Sequence, residues 1–340
     1  MDNLFLIRSL TTAVNSLVPP PRRAWNRLFA AKQNMQGTDR LAFDIITGSE
    51  GLLPNLAVAS PATVDAKTAR TTVTVTAPRI SNKRPMPDAQ LNAWRAFGSQ
   101  IGTEMARTWI AREQLDMRNK HDRTHEFQAV GALKGYIYDS DGTTLLVDYG
   151  LAATHRVTLT GDDLFSSPNS HPVERLRTWK RTIEDDSGTE ITGWLAYLGY
   201  QVMDELLKNG DILTFMKYDK GSQMAESGRI QRLAEVELDE YNGSYLTDAS
   251  VRTRFIEPYE IVLIGLCNDL VDCPYAPIID NDAPDGVGNV TVSEAGRTVT
   301  NPFYSKSWRE PDPAGTWIKV ESRVLPVLQR PGAVIVARAV

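Results

Sequence analysis

Cysteine is scarce in this chain: Cys267 and Cys273 are the only two thiols among 340 residues. Five residues separate them, not the two of a metal knuckle or a redox pair, so both read as reduced, partly buried thiols. A chain of this length needs no disulfide staple in a reducing compartment. Long apolar runs are absent as well. No stretch approaches the ~18–20 residues of a membrane span. The first residues, Met1-Asp2-Asn3-Leu4-Phe5-Leu6-Ile7-Arg8, lack the basic start and apolar stretch of a secretory signal. Folding in the cytosol of the producing cell is therefore expected, with no membrane partner. There is no internal repeat, no low-complexity tract, no P-loop lysine motif and no G-x-S-x-G elbow. Gly286-Val287-Gly288 lacks the third glycine of a dinucleotide loop.

What is present is an uneven chain. Its length exceeds the ~250–300 residues at which one core stops growing, so two lobes with extensions are expected. The net charge is only -5, yet residues 1–87 hold 11 Lys/Arg against 5 Asp/Glu, and residues 160–300 hold 12 against 25. A basic segment lying on an acidic surface fits that split; sequence-specific DNA binding does not.

The order of segments is legible. Ser9, Leu10, Ala13, Val14 and Leu17 outline a short helix stopped by Pro19-Pro20-Pro21. Arg22, Arg23, Trp25, Arg27 and Phe29 follow, an arm too short for its own core. Residues 38–87 read as a long two-stranded excursion, with strands around Leu41–Ile45 and Thr71–Thr76. An isolated hairpin is marginal in water, so it needs something to dock on. Asp88, after Pro85 and Pro87, opens a helix that Leu91, Trp94, Phe97, Ile101 and Met105 carry towards Lys134, with a bend plausible at Gly98 or Gly102. A hairpin turns at Asp139–Gly142. A helix starts at Pro172, a strand covers Trp194–Leu198, and a helix from Val202 stops near Gly210. Strands are expected over Val236–Tyr245, Arg254–Leu266, Trp317–Leu325 and Val334–Val340.

The search for chemistry returns little. His121 and His125 share a helical face and offer two metal ligands, but Asp122 stands where a zinc protease has glutamate, and no third ligand motif follows. Solvated histidines among Arg118, Lys120 and Arg123 are expected instead. His155 and His171 lie near Asp162, Asp163 and Ser170 without a nucleophile. Glu184-Asp185-Asp186 reads as an acidic helix end. The sequence offers no catalytic, cofactor-binding or metal residue.

Several blocks, taken in order, resemble one family: the lambda-type phage major capsid proteins called major capsid protein E, with the Hong Kong 97-type shell fold. They are Phe5–Thr11 with Asn15, Thr74–Arg79, Glu126–Gly135, Glu235–Gly243, Phe255–Pro258, Phe303–Trp308 and Glu321–Pro326. Residues 267–300 match least. The resemblance implies an α+β chain with an N-terminal arm (1–37), an extended E-loop hairpin (38–87), a P-domain with spine helix 88–134 (88–165 and the strands of 301–340) and an A-domain (166–300). It implies the major head protein of a tailed bacteriophage, assembling in the host cytoplasm into pentamers and hexamers of an icosahedral virion capsid around double-stranded DNA. A separate scaffolding protein, a portal and, in some shells, a decoration protein are the further partners. On that reading Phe5, Arg22, Arg23, Trp25, Arg27, Lys67, Arg70, Arg79, Lys83 and Arg84 contact neighbouring subunits, because arm and loop cannot bury their own apolar groups. The alternatives are an encapsulin-like cellular compartment and a metal-dependent hydrolase built on His121 and His125.

Overall fold

The structure, a computed structural model, describes residues 6–17, 23–35, 38, 40–46, 70–87, 99–216, 228–247, 250–283, 290–293, 296–299, 301–311 and 314–340. Their contacts divide the chain into two units, residues 1–42, 74–129 and 272–327 in one and residues 43–73, 130–271 and 328–340 in the other.

In the first unit, three strands pair antiparallel in the order Tyr304–Pro311, Ala314–Ser322, Ile80–Pro87. The sequence reading assigned 80–87 to the loop excursion, because Pro85 and Pro87 look like punctuation before a helix. The strand lies at the sheet edge, where a missing N–H costs nothing, and Pro85 sits opposite Trp317. Side chains alternate across the middle strand: Ile318 and Val320 are buried, together with Leu10, Val14, Ile110, Met117 and Phe303. Leu10 and Val14 come from the arm helix Ile7–Ser16, and Ile110 and Met117 from the long helix. That helix is Ser99–Leu133, and its 35 residues correspond to about 52 Å at 1.5 Å each. Asp88, Leu91, Trp94, Phe97 and Gly98 lie outside the described residues. A single helical turn, Trp25–Phe29, and a short parallel pair, Gln33–Met35 on Cys273–Tyr275, complete this unit.

The second unit is built on a six-stranded mixed sheet. Its order is Arg156–Thr158, Val334–Arg338, Glu260–Leu266, Gly193–Leu198, Val236–Glu240, Arg232–Leu233. Ile261, Val262, Leu263 and Ile264 are buried on both faces, which is why this stretch reads as a continuous apolar run. The helix Pro172–Ser187 lays Leu176, Trp179 and Ile183 on the sheet, worth ~1.5–3 kcal/mol each. Pro172 starts it and Gly188, in the left-handed region at φ 59°, ends it. Two expected strands are each split in two. Asn242-Gly243 parts Val236–Glu240 from Ser244–Leu246, and a turn at Pro258 parts Arg252–Arg254 from Glu260–Leu266. Gly199 packs there so closely that a Cβ would lie 2.1 Å from the Glu257 carbonyl oxygen. The helix Tyr200–Lys208 stops near Gly210 as expected, but a second helix follows directly. Asn209 accepts hydrogen bonds from the amides of Asp211 and Ile212 and so starts another, Gly210–Met216. The hairpin Tyr136–Tyr138 with Leu145–Asp148 turns on Asp141, whose carboxylate takes the amides and hydroxyls of Thr143 and Thr144. Those hydrogen bonds, Thr144's first, hold its pKa well below the usual carboxylate range. The strands Arg40–Ile46 and Arg70–Thr76 form a two-stranded sheet, and residues 47–69 between them lie outside the described residues.

Candidate functional site

The arm is seated on a polar ladder that the sequence reading missed. Gln114, Arg118, His121, Asp122, His125 and Glu126 recur at helical spacing on the long helix, and all six are buried. Burying such groups is costly unless each finds a partner, and the arm supplies several. Gln114 donates to the carbonyl of Leu10 at 3.1 Å, and Arg118 donates to that of Val14 while pairing with Asp122 at 3.2 Å. One carboxylate oxygen of Glu126 accepts the amide of Ala24 at 2.9 Å and the other that of Trp25 at 3.0 Å. A carboxylate on the first amides of a helical turn satisfies both donors and the local positive dipole.

The two histidines form the centre of this seat. Asn82 Oδ1 can only accept, so His121 Nε2 carries the proton and donates to it at 3.2 Å. His121 Nδ1 then accepts from Ser322, at 2.9 Å, and the same hydroxyl oxygen accepts from His125 Nε2 at 3.0 Å. The His125 ring stacks on Trp25, with centroids 5.1 Å apart, and on Phe303 at 5.5 Å. The expectation of solvated histidines is thus overturned: their exposures are 1% and 0%. Burial, reinforced by the nearby Arg118 charge, pushes the His121 pKa down to about 4, so it is neutral near pH 7. Among the described residues no group of three or more His, Cys, Asp or Glu is arranged to hold a metal ion.

The arm helix also closes a sheet edge. Thr11 exchanges two hydrogen bonds with the backbone of Ser305, and Asn15 two with that of Phe303. Two side chains four apart on a helix thereby replace a missing neighbour strand.

The residues expected to contact other subunits are spread along the chain. Phe5, Arg22 and Lys67 lie outside the described residues. Arg23 and Arg27 are exposed on either side of Trp25. Trp25 itself is 1% exposed, and Phe29 is buried with it, so the arm does bury its apolar rings on its own chain. The reason is the ladder, a hydrogen-bonded seat that apolar periodicity does not reveal. Arg70 faces Asp44 at 3.7 Å. Arg79 grips Glu321 through two hydrogen bonds of 2.8 and 2.9 Å. Burial alone would raise the pKa of Glu321, but Arg79 and Lys319 hold it below its usual value. Arg84 pairs with Glu113 on the long helix. Lys83 stands over Trp317, 4.6 Å from the ring centroid, and Trp317 stacks on Trp308 at 6.4 Å. These two half-exposed tryptophans and Lys83 share the sheet face that points away from the long helix.

The arrangement offers docking faces and hydrogen-bonded anchors, and Ser322, whose hydroxyl meets both histidines, is fully buried. Comparison with known proteins agrees. The family model described as phage major capsid protein E matches residues 7–339. A prophage capsid protein of E. coli CFT073 superposes with a TM-score of 0.64 at 17% identity, covering 98% of this chain and 99% of that one. A phage-related protein of Bordetella bronchiseptica RB50 gives 0.57 at 12% identity, covering 98% of both chains. The capsid protein of cyanophage P-SCSP1u gives 0.56 at 8% identity, over 96% of this chain and 90% of that one. No curated protein matches the chain.

Proposed function

We propose, for a chain that belongs to the phage major capsid protein E family, that it builds the icosahedral head of a tailed bacteriophage, in hexamers and pentamers around double-stranded DNA. The observation that carries this is a family match over nearly the whole chain on a Hong Kong 97-like fold. It is a structural protein, not an enzyme. The finer assignments rest on that reading. Residues 1–37 serve as arm, 38–87 as E-loop, 88–165 with 301–340 as P-domain and 166–300 as A-domain. Arg23, Arg27 and Lys83 keep exposed surface and are the cationic groups best suited to a neighbour, while Arg70 is exposed but faces Asp44. Arg79 and Arg84 add charge to such a contact only beyond what their internal partners take up. A scaffolding protein and a portal assist in the host cytoplasm, a decoration protein has the outer shell surface available, and the enclosed DNA is held without sequence readout. Negative-stain microscopy of the chain produced with its own head-assembly proteins tests the proposal. Closed angular shells that take up genome-length DNA are expected. Particles filled with an enzyme cargo would move the chain to the compartment class, and a monomer under all assembly conditions would end the shell reading.

A further inference from the structure

The helix Pro172–Ser187 carries exposed charges that form no ion pair or hydrogen bond among the described residues. Opposite its buried face, Arg177 and Arg181 stand one turn apart, followed by Glu184 and Asp185. All four are exposed, and among the described residues none forms an ion pair or hydrogen bond. Their neighbours are engaged: Arg175 with Asp163, Lys180 with Glu235, and Asp186 with His155. The pattern is unfavourable in an isolated helix. Like charges four apart repel, and carboxylates in the last turn meet the negative end of the dipole. Arg181 lies four residues before Asp185 and still does not pair with it.

The two arginines line a recess. Two adjoining grooves of about 410 and 350 Å³ share Val173, Arg177 and Arg181. A wall of the larger one is the turn Ala234-Glu235, with φ of 50° and 68° where Asn-Gly is usual.

We infer that this groove receives the Glu184–Asp185 helix end of a second copy of the chain; the inference rests on the shell reading above. Charge complementarity names the occupant: two arginines in a recess and two carboxylates on the same exposed helix, none of them in an ion pair among the described residues. Because groove and insert share one helix face, the patch is self-complementary: the arginines of each copy meet the carboxylates of the other about a two-fold axis. A nucleic acid suits the groove less well: its continuous row of phosphates would have to pass Glu184 and Glu235 on one part and Glu174 and Asp211 on the other, whereas the helix end brings only two carboxylates.

The test compares shell yields for the full chain made with its own head-assembly proteins. The variants are Arg177→Glu/Arg181→Glu, Glu184→Lys/Asp185→Lys, the combination of all four, and the milder Arg177→Gln/Arg181→Gln. Each one-sided reversal is expected to cut yield at least ~10-fold, the milder pair by less, and the combination to return it to within ~3-fold of wild type. Thermal unfolding of the unassembled variants should match wild type. Undiminished yield in either one-sided reversal, or no recovery in the combination, overturns the inference while leaving the shell reading intact. Shells that form normally with the arginine variant but lose packaged DNA would assign the groove to nucleic acid instead. Absence of shells from the wild-type chain would remove the shell reading, and this contact with it.

Discussion

His121 shows how one side chain can tie stability to pH. Its pKa is about 4 in the folded chain, against an ordinary value of 6.5, because burial disfavours the imidazolium. Between those values the unfolded chain binds the proton and the folded chain does not. Stability is therefore full above pH 6.5 and is lost as pH falls towards 4, by roughly 3 kcal/mol. Unfolding followed from pH 7 to pH 4 should show this slope, and His121→Gln should flatten much of it. An equal slope in the variant would assign the acid sensitivity to other groups. Nothing in the sequence announced this residue. Four apart on a polar stretch of helix, His121 and His125 look solvated, and only Ser322, 201 positions beyond His121, makes them a network.

At the level of elements, the helix of the arm and the turn after it depend on Glu126. Glu126→Ala leaves two buried amides without their acceptor, which costs about 2–4 kcal/mol. The variant should release the segment before Phe29 to protease in the unassembled subunit, while the six-stranded sheet keeps its melting transition. If cleavage there is as slow as in wild type, the carboxylate is not what holds the arm. Elements whose burial is apolar were legible, the run Ile261–Leu266 and the triplet Leu176, Trp179, Ile183, and so was the exposed polar turn at Asp141. The rest failed for local reasons. Pro85 and Pro87 disguised an edge strand, Asn209 capped a second helix directly after the expected stop, and the buried face of the long helix is polar. The basic positions are visible in sequence, but not that Arg79 and Arg84 have partners in their own chain.

For the whole molecule, the seated arm changes which surfaces are left for other copies. Among the described residues, the groove on the helix Pro172–Ser187 and the Trp308–Trp317 face are the surfaces we propose for a neighbour. Deleting residues 50–69 retains both strands of the two-stranded sheet and should leave the thermal unfolding of the subunit unchanged while abolishing shells. Normal particles from that deletion would show the loop to be dispensable. The closed sheet edge has a consequence in time as well as in space. Thr11 bonds to a residue 294 positions further on, and Asn15 to one 288 further on. The ribosome therefore makes the lid almost three hundred residues before the edge it covers. Until that edge is made the lid has nothing to close, so the helix Ile7–Ser16 must stay available while the intervening residues are synthesised.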